Sequence, residues 1–192
     1  MATTNNPTFQ SALAGAEATL RSLAGLESAM AKAGDLIVAC LTNGKKLLAC
    51  GNGGSAADAA DFTTEFACRF MHDRRPYPAL NLSANGSLLT ATANDYGFDE
   101  VFARQVQAFG NAGDVLLAIS TSGKSANIRR ALEQARVCGL KSIALLGRDG
   151  GVCAGMADVE LVVPGESTAR IQEAHKFLLH VLCELCEPHL AR

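Results

Sequence analysis

The sequence lacks a surplus of basic residues and a long apolar run. Its 17 lysines and arginines are outnumbered by 19 acidic residues, which leaves a formal net charge of −2. A chain without basic excess cannot bind nucleic acid chiefly by neutralising phosphates. No apolar run approaches the roughly 20 residues that a membrane-spanning helix needs. We therefore expect neither a nucleic-acid partner nor a membrane partner.

The first ten residues, MATTNNPTFQ, also lack the basic start and apolar core of a secretory signal peptide. We accordingly expect a cytoplasmic protein whose seven cysteines stay reduced and pack as small apolar residues. Cys183 and Cys186 form a C-x-x-C pair, but they lie in the apolar helical pattern HVLCELCEPHL. That setting favours a structural role over a redox or zinc site.

The length and composition indicate one folded domain spanning residues 1–192. Apolar residues make up 48% of the 192 and charged residues 19%, which is enough to bury a substantial core. Residues 1–43 have the spacing of helices, from Phe9 through Met30 and on to Leu41, and carry no convincing catalytic arrangement. We assign them to packing or oligomerisation, and residues 44–192 to an α/β core.

Short apolar runs separated by helix-like segments indicate a parallel sheet covered on both faces. The runs are KLLAC at 46–50, the weaker PALNLS at 78–83, DVLLAIS at 114–120, KSIALLG at 141–147 and VELVV at 159–163. A final helix is predicted over Thr168–Leu190. The predicted fold is a three-layer αβα sandwich with a central five-stranded parallel sheet.

Two of the predicted strands end in sequence suited to binding an anion. The first runs into Gly51-Asn52-Gly53-Gly54, with Ser55 expected as the N-cap of the following helix. Glycine lets the backbone approach a ligand, and a helix N-terminus offers free N–H groups. An ordinary glycine-rich turn is the open alternative.

The second such turn is ISTSGKSAN at 119–127, where hydroxyl groups surround Gly123. Ser120, Thr121, Ser122 and Ser125 would form a neutral cradle suited to a phosphate monoester. The pattern is neither a dinucleotide fingerprint nor a P-loop, so no nucleotide cofactor is expected. A plain capping turn is the alternative, although two such turns after two parallel strands are less easily a coincidence.

Further candidates for chemistry lie on the predicted helices. Asp58, Asp61 and Glu65 have helical spacing, and the last two share a face. They suit a metal site or a general base, with a solvated acidic stripe as the alternative. His180 is flanked by apolar residues, which fits either a core histidine or a proton shuttle.

Taken in order, these stretches resemble the phosphoheptose isomerases, which are sugar isomerase (SIS) domains. The matching pieces are CGNGGSAADA, CRF at 68–70, LTATANDYGFDEVFARQV, GDVLLAISTSGKSAN, LLGRDGG and ARIQEAH. The resemblance runs from about Gly44 to the C-terminus. It implies a SIS fold, usually a homotetramer whose active sites are shared between subunits.

The resemblance also implies an activity and a set of site residues. The reaction is the aldose–ketose isomerisation of sedoheptulose 7-phosphate to D-glycero-D-manno-heptose 7-phosphate, the first step toward nucleotide-activated heptose for lipopolysaccharide. Glu65 and His180 would be the acid/base pair, in either order of roles. Substrate would contact Asn52, Gly53, Gly54, Ser55, Asn94, Asp95, Ser120, Thr121, Ser122, Ser125 and Gln172.

Some members of this family bind one zinc ion per subunit, which here would involve Asp61, Glu65, Gln172 and His180. Asp61 stands where a histidine is usual. The metal is therefore retained with altered geometry, exchanged for another, or absent. Gln172 and His180 would lie about 12 Å apart along one helix. We thus predict that different subunits supply them, or that Gln172 lies outside the regular helix.

Three other functions remain open, one of which is a SIS sensor that binds a sugar phosphate without turnover. Related SIS proteins bind the bacterial replication initiator without catalysis, and share the glycine-rich turn and the RIQE-type segment. The presence of Glu65 and His180 favours the enzyme, whereas the aspartate at position 61 keeps the regulator in consideration. An isomerase acting on a different sugar phosphate is the second alternative, because fold does not dictate substrate.

Overall fold

A computed structural model describes residues 8–190 of the chain. The first seven residues, on which part of the signal-peptide expectation rests, lie outside this range. The helices are α1 Phe9–Ser22, α2 Glu27–Thr42, α3 Gly54–Ala67, α4 Gly86–Tyr96, α5 Ala103–Phe109, α6 Ala126–Val137 and α7 Thr168–Cys186. The strands are β1 Leu47–Gly51, β2 Ala79–Asn81, β3 Val115–Ser120, β4 Lys141–Gly147 and β5 Val159–Val163.

All five strands pair in parallel, in the order β2-β1-β3-β4-β5. Alternate residues of the central strand β3 point into two separate cores. Leu117 and Ile119 pack with α2, α3 and α7, whereas Leu116 and Ala118 pack with α5 and α6. Burial on both faces explains why the strands read as continuous apolar runs, and the predicted three-layer αβα sandwich is confirmed.

The predicted element boundaries differ from the structure at both ends of the chain. The N-terminal helices break at a 3₁₀ turn over Leu23–Leu26, while Gly34 lies inside α2 against Leu185 of α7. The last helix ends at Cys186 rather than Leu190, and a 3₁₀ turn at Glu187–His189 follows because Pro188 lacks the N–H that a helix interior needs.

The C-x-x-C pair has the structural setting that the sequence predicted. Cys183 and Cys186 are buried in α7, and all seven cysteines of the chain are free thiols. Burial raises the pKa of Cys186 to about 12, so this thiol is unreactive at neutral pH. Within the described part of the chain, no helix is both long and apolar enough to cross a membrane.

Candidate functional site

The turns after β1 and β3 begin side by side at the carboxyl edge of the sheet. The two strands are adjacent and parallel, with Gly51 paired to Ile119. Just beyond them, the side-chain amides of Asn52 and Asn127 bond to each other twice, with both N–O distances at 2.9 Å. This pair of bonds joins the glycine-rich turn to the first residues of α6, in the crevice where open α/β sheets bind ligands.

The glycine-rich turn places the start of α3 two residues earlier than predicted. Gly53 takes a φ of 56° and is the N-cap of α3, so the expectation that Ser55 caps the helix is wrong. Ser55 is instead buried within the first helical turn. A Cβ on Gly54 would overlap the side-chain amide of Gln172. Glycine at 54 therefore lets Gln172 lie directly on the N-terminus of α3.

The serine-rich turn after β3 is organised by its own hydroxyl groups. The Oγ atoms of Ser120 and Ser125 lie 3.1 Å apart, and the N–H of Gly123 donates to Ser120 Oγ. The N–H of Lys124 donates to Ser122 Oγ. Ser125 is the N-cap of α6 but makes no side-chain capping bond, which leaves the first amides of this helix available to an anion.

The loop after β4 packs against the serine-rich turn. Gly123 has a φ of 65°, and a Cβ there would overlap the carbonyl oxygen of Gly150. The N–H of Cys153 donates to the Gly123 carbonyl oxygen at 3.1 Å. The loop after β4 therefore fixes the shape of the serine-rich turn through backbone contacts and through the Cys153 thiol, which donates to the Ser125 carbonyl oxygen at 3.9 Å.

The LSANGS segment at 82–87, directly after β2, forms a third loop at the carboxyl edge of the sheet. The Oγ of Ser83 donates to the Gly51 carbonyl oxygen at 2.9 Å, and Asn81 Oδ1 accepts from the Ser83 N–H. Asn85 then caps α4 by accepting from the Leu88 N–H. The segment thus supports the glycine-rich turn and starts a helix.

Helices α3 and α7 follow parallel strands on one face of the sheet and run side by side. Gly54 contacts Gln172 at their N-terminal ends. One turn further on, the Nζ of Lys176 lies 2.9 Å from Asp58 Oδ1 and 2.5 Å from Asp61 Oδ2. Four residues beyond that contact, helix geometry places Glu65 on α3 and His180 on α7 at the same level along the two helices.

Glu65 and His180 are both accessible at this level. Glu65 is half-buried and His180 is exposed, with its ring centroid 6.2 Å from that of Phe70. The alternative of a buried core histidine is therefore wrong for His180. The buried histidine of this helix is His175, which has no exposed surface.

Gln172 and His180 belong to one uninterrupted helix, α7. The alternative that placed Gln172 outside the regular helix is wrong. Eight residues separate the two by about 12 Å along the axis. Within one protomer Gln172 lies against Gly54 whereas His180 lies beside Phe70, so the two side chains do not meet in the same site. Their meeting across a subunit boundary stays a prediction.

Asp58 and Asp61 do not form a solvated acidic stripe. Asp58 is 2% exposed, and a carboxylate so buried requires a charged partner. Lys176 supplies that partner and holds the more exposed Asp61 as well. Burial lowers the pKa of Lys176, but the bonds from Asp61 and Asp58 outweigh it, so the pKa is raised and the ammonium stays charged.

The four residues that the resemblance implies for zinc do not fit the ion within this protomer. Zinc binds four converging ligands at about 2.0–2.3 Å. Here Asp61 is occupied by the Lys176 ammonium, Gln172 lies on Gly54, and His180 is about 12 Å further along the helix. Among residues 8–190 no group of three histidine, cysteine or acidic side chains is arranged for a metal.

His175 lies next to this cluster, against the sheet. Burial lowers its pKa below the usual histidine value and outweighs the opposing effects of the Leu146 backbone and of the charge on Asp58. Both ring nitrogens and Asp58 Oδ2 are buried without a hydrogen-bond partner in the described structure. His175 is therefore a neutral imidazole at neutral pH.

Asn94 and Asp95 occupy the C-terminal end of α4, where both are exposed. The amide nitrogen of Asn94 donates to Asp95 Oδ1 at 2.8 Å. The described structure shows no hydrogen bond from this pair to the other predicted site residues, and the substrate contact predicted for the pair stays a prediction.

Sequence reasoning missed two residues that the site depends on. Asn127 lay inside the ISTSGKSAN stretch but was not singled out, because its partner Asn52 is 75 residues away. Lys176 lies four residues from both Gln172 and His180 and thus on their helix face. That spacing was the available signal.

Comparison with known proteins agrees with the observed fold. The SIS domain profile matches residues 13–147. A phosphoheptose isomerase from Helicobacter pylori (strain P12) is 47% identical over 179 residues, covering 93% of both chains. Solved phosphoheptose isomerases from Neisseria gonorrhoeae and Francisella tularensis superpose with TM-scores of 0.88 and 0.86. They are 44% and 41% identical, covering 93% and 94% of this chain and 96% and 94% of their own.

Proposed function

The chain belongs to the phosphoheptose isomerase family of SIS domains, and we propose that it converts sedoheptulose 7-phosphate to D-glycero-D-manno-heptose 7-phosphate. The observation that carries this proposal is the joined pair of turns at the carboxyl edge of the sheet. The serine-rich turn before α6 offers hydroxyl groups and free helix amides that suit a phosphate. The bonds between Asn52 and Asn127 join the glycine-rich turn to it.

Catalysis in this proposal is proton transfer between neighbouring carbons of the sugar. Glu65 removes the proton from the carbon next to the carbonyl group, which gives an enediol. His180 moves protons between the hydroxyl and carbonyl oxygens, and reprotonation at the adjacent carbon yields the aldose. The two roles could be exchanged. The phosphate-binding turn contributes by holding the substrate in one orientation.

The test is incubation of the purified protein with sedoheptulose 7-phosphate while product formation is followed by NMR. Glu65→Gln and His180→Gln should each lower kcat by at least about 100-fold, the usual contribution of a positioned acid or base. Glu184→Gln and His189→Gln, which change exposed residues of the same types, should leave kcat unchanged. Substrate binding with no turnover would refute the catalytic proposal.

A homotetramer with shared active sites is part of the same proposal. It is supported by α1, none of whose residues is buried in the protomer. Phe9 and Leu13 on this helix are 77% and 51% exposed, and Phe177 on α7 is 49% exposed. Apolar surface of this kind is typical of subunit contacts. Light scattering should give four times the chain mass, and Leu13→Glu should reduce it.

We also propose a cytoplasmic location and use of the product in heptose precursor synthesis for lipopolysaccharide. The free thiols support the location, since oxidising compartments favour disulfides. The relatives described above are all named as phosphoheptose isomerases, which favours the enzyme over the initiator-binding regulator. Deletion of the gene should remove heptose from the cell envelope, and a cytosolic fraction should contain the protein.

A further inference from the structure

The ammonium of Lys176 lies between the carboxylates of Asp58 and Asp61 on α3. It lies 2.9 Å from Asp58 Oδ1 and 2.5 Å from Asp61 Oδ2, and its side chain is 31% exposed. One helical turn separates this ion-pair cluster from the level of Glu65 and His180. The cluster therefore adjoins the groups to which we assign proton transfer.

Asp58 is what keeps Lys176 in this position. The side chain of Asp58 is 2% exposed, whereas that of Asp61 is 62% exposed. Removing the cationic partner of a buried carboxylate is strongly unfavourable, so the ammonium is anchored on Asp58 and reaches Asp61 from there. An ion pair with Asp61 alone, at the surface, would contribute little.

An ammonium in this place is incompatible with a divalent cation on the same carboxylate. A metal ion bound to Asp61 would have to displace Lys176 or lie within a few ångströms of its positive charge. Displacement would leave Asp58 buried and unpaired, since its Oδ2 atom already has no partner in the described structure. The positive charge that a metal ion would bring to this face is thus already supplied by the chain.

We propose that Lys176 replaces the metal ion in this chain, so that the isomerase neither binds nor needs zinc at Asp61. The proposal rests on the proposed function for its catalytic half, while its metal-binding half stands independently. Lys176 is a positioning residue here: it neutralises Asp58 and Asp61 and leaves Glu65 free of a metal bond. Asp61 and Lys176 then act as one ion-paired unit.

Metal binding tests the proposal without reference to turnover. The probes are zinc, by calorimetry, and cobalt, by its absorption spectrum, added to chelator-treated protein in a Cys68→Ser background that removes the exposed thiol. We expect no stoichiometric binding to the native site. Asp61→His alone should bind none because Lys176 remains, whereas Asp61→His/Lys176→Met should gain at least tenfold in zinc affinity. Lys32→Met, an exposed lysine on α2, is the control.

Two results would overturn the proposal. One is tight binding of a single zinc per subunit that Asp61→Asn abolishes; the other is a well-folded double variant that gains no affinity. Lys176→Met leaves the buried Asp58 carboxylate without its charged partner and can destabilise the fold. If the double variant unfolds at a lower temperature than the native protein, the triple variant Asp58→Asn/Asp61→His/Lys176→Met is tested in its place. Turnover of chelated protein is measured in parallel. Absence of turnover with and without zinc would refute the proposed function and leave the binding result standing.

Discussion

Asn52 and Asn127 hold each other through two amide–amide hydrogen bonds, each with an N–O distance of 2.9 Å. Asn127 is 2% exposed, so its orientation is fixed by packing as well as by these bonds. The pair joins the turn after β1 to the N-terminus of α6. The two turns of the proposed substrate site are thus directly linked by side-chain hydrogen bonds.

We expect Asn127→Ala to weaken substrate binding more than it slows chemistry. The loss of both bonds frees Asn52 and lets the glycine-rich turn move away from the phosphate-binding turn. KM for sedoheptulose 7-phosphate should rise about tenfold, which corresponds to about 1.4 kcal/mol, with kcat changed less than about threefold. Asn111→Ala, at the opposite edge of the sheet, is the control. A fall in kcat with unchanged KM would contradict this role.

A substitution pair separates crowding from backbone strain in the serine-rich turn. Gly123 and Gly155 have φ angles of 65° and 77°, but a Cβ would strike Gly150 in the first case and meet nothing within 4 Å in the second. Gly155→Ala should cost about 1 kcal/mol of unfolding free energy from strain alone. Gly123→Ala should cost about 3 kcal/mol or more, because the loop after β4 must also move. Urea denaturation measures both, and equal losses would contradict the contact.

Stability should fall as pH falls below the usual histidine pKa of 6.5, because of His175. Its pKa is lowered in the folded protein by burial, so the unfolded chain takes up the proton first. The stabilising contribution is complete above pH 6.5 and is lost as pH decreases toward the folded-state pKa. The slope should reach at most about 1.4 kcal/mol per pH unit.

Urea denaturation of His175→Gln at several pH values checks this assignment. The variant should lose most of the dependence between about pH 7 and pH 5, because it has no imidazole to protonate. His189→Gln, which removes an exposed histidine, should retain it. An unchanged slope in His175→Gln would assign the pH dependence to another group.

Mixing two inactive variants tests whether neighbouring subunits share a site. Suppose that each site takes Gln172 from one subunit and His180 from its neighbour. A pair made of one Gln172→Ala chain and one His180→Gln chain then contains one site in which both residues are native. Random mixing by unfolding and refolding should then restore about a quarter of wild-type activity. Each variant refolded alone should stay inactive. No recovery in mixtures shown by mass spectrometry to contain hybrids would place both residues in one subunit's site.

The sequence predicted the architecture well because each buried strand is a continuous apolar run. β3 is buried along its whole length on both faces, and the runs at 141–147 and 159–163 match β4 and β5 to the residue. The weaker run at 78–83 shrank to the three residues Ala79–Asn81 at the sheet edge, where pairing exists on one side only. A strand that is buried on both faces is therefore easier to predict from sequence than an edge strand.

The site was less predictable because its key contacts join distant positions. Lys176 lies 115 residues from Asp61, and no local pattern indicates that the two meet. Ser55 was expected as an N-cap on composition, but the positive φ of Gly53 starts the helix earlier. Once α3 and α7 are known to run side by side in the same direction, the four-residue spacing of Gln172, Lys176 and His180 predicts which turn of α3 each side chain lies beside.

The most direct test of the whole account is turnover of sedoheptulose 7-phosphate by the chelator-treated protein, followed by NMR in deuterated water. We predict formation of D-glycero-D-manno-heptose 7-phosphate with deuterium at the carbon that is reprotonated, as an enediol requires. Glu65→Gln should abolish both product formation and deuterium incorporation. A protein that binds the sugar phosphate but produces neither aldose nor deuterated substrate, with or without zinc, would contradict the account.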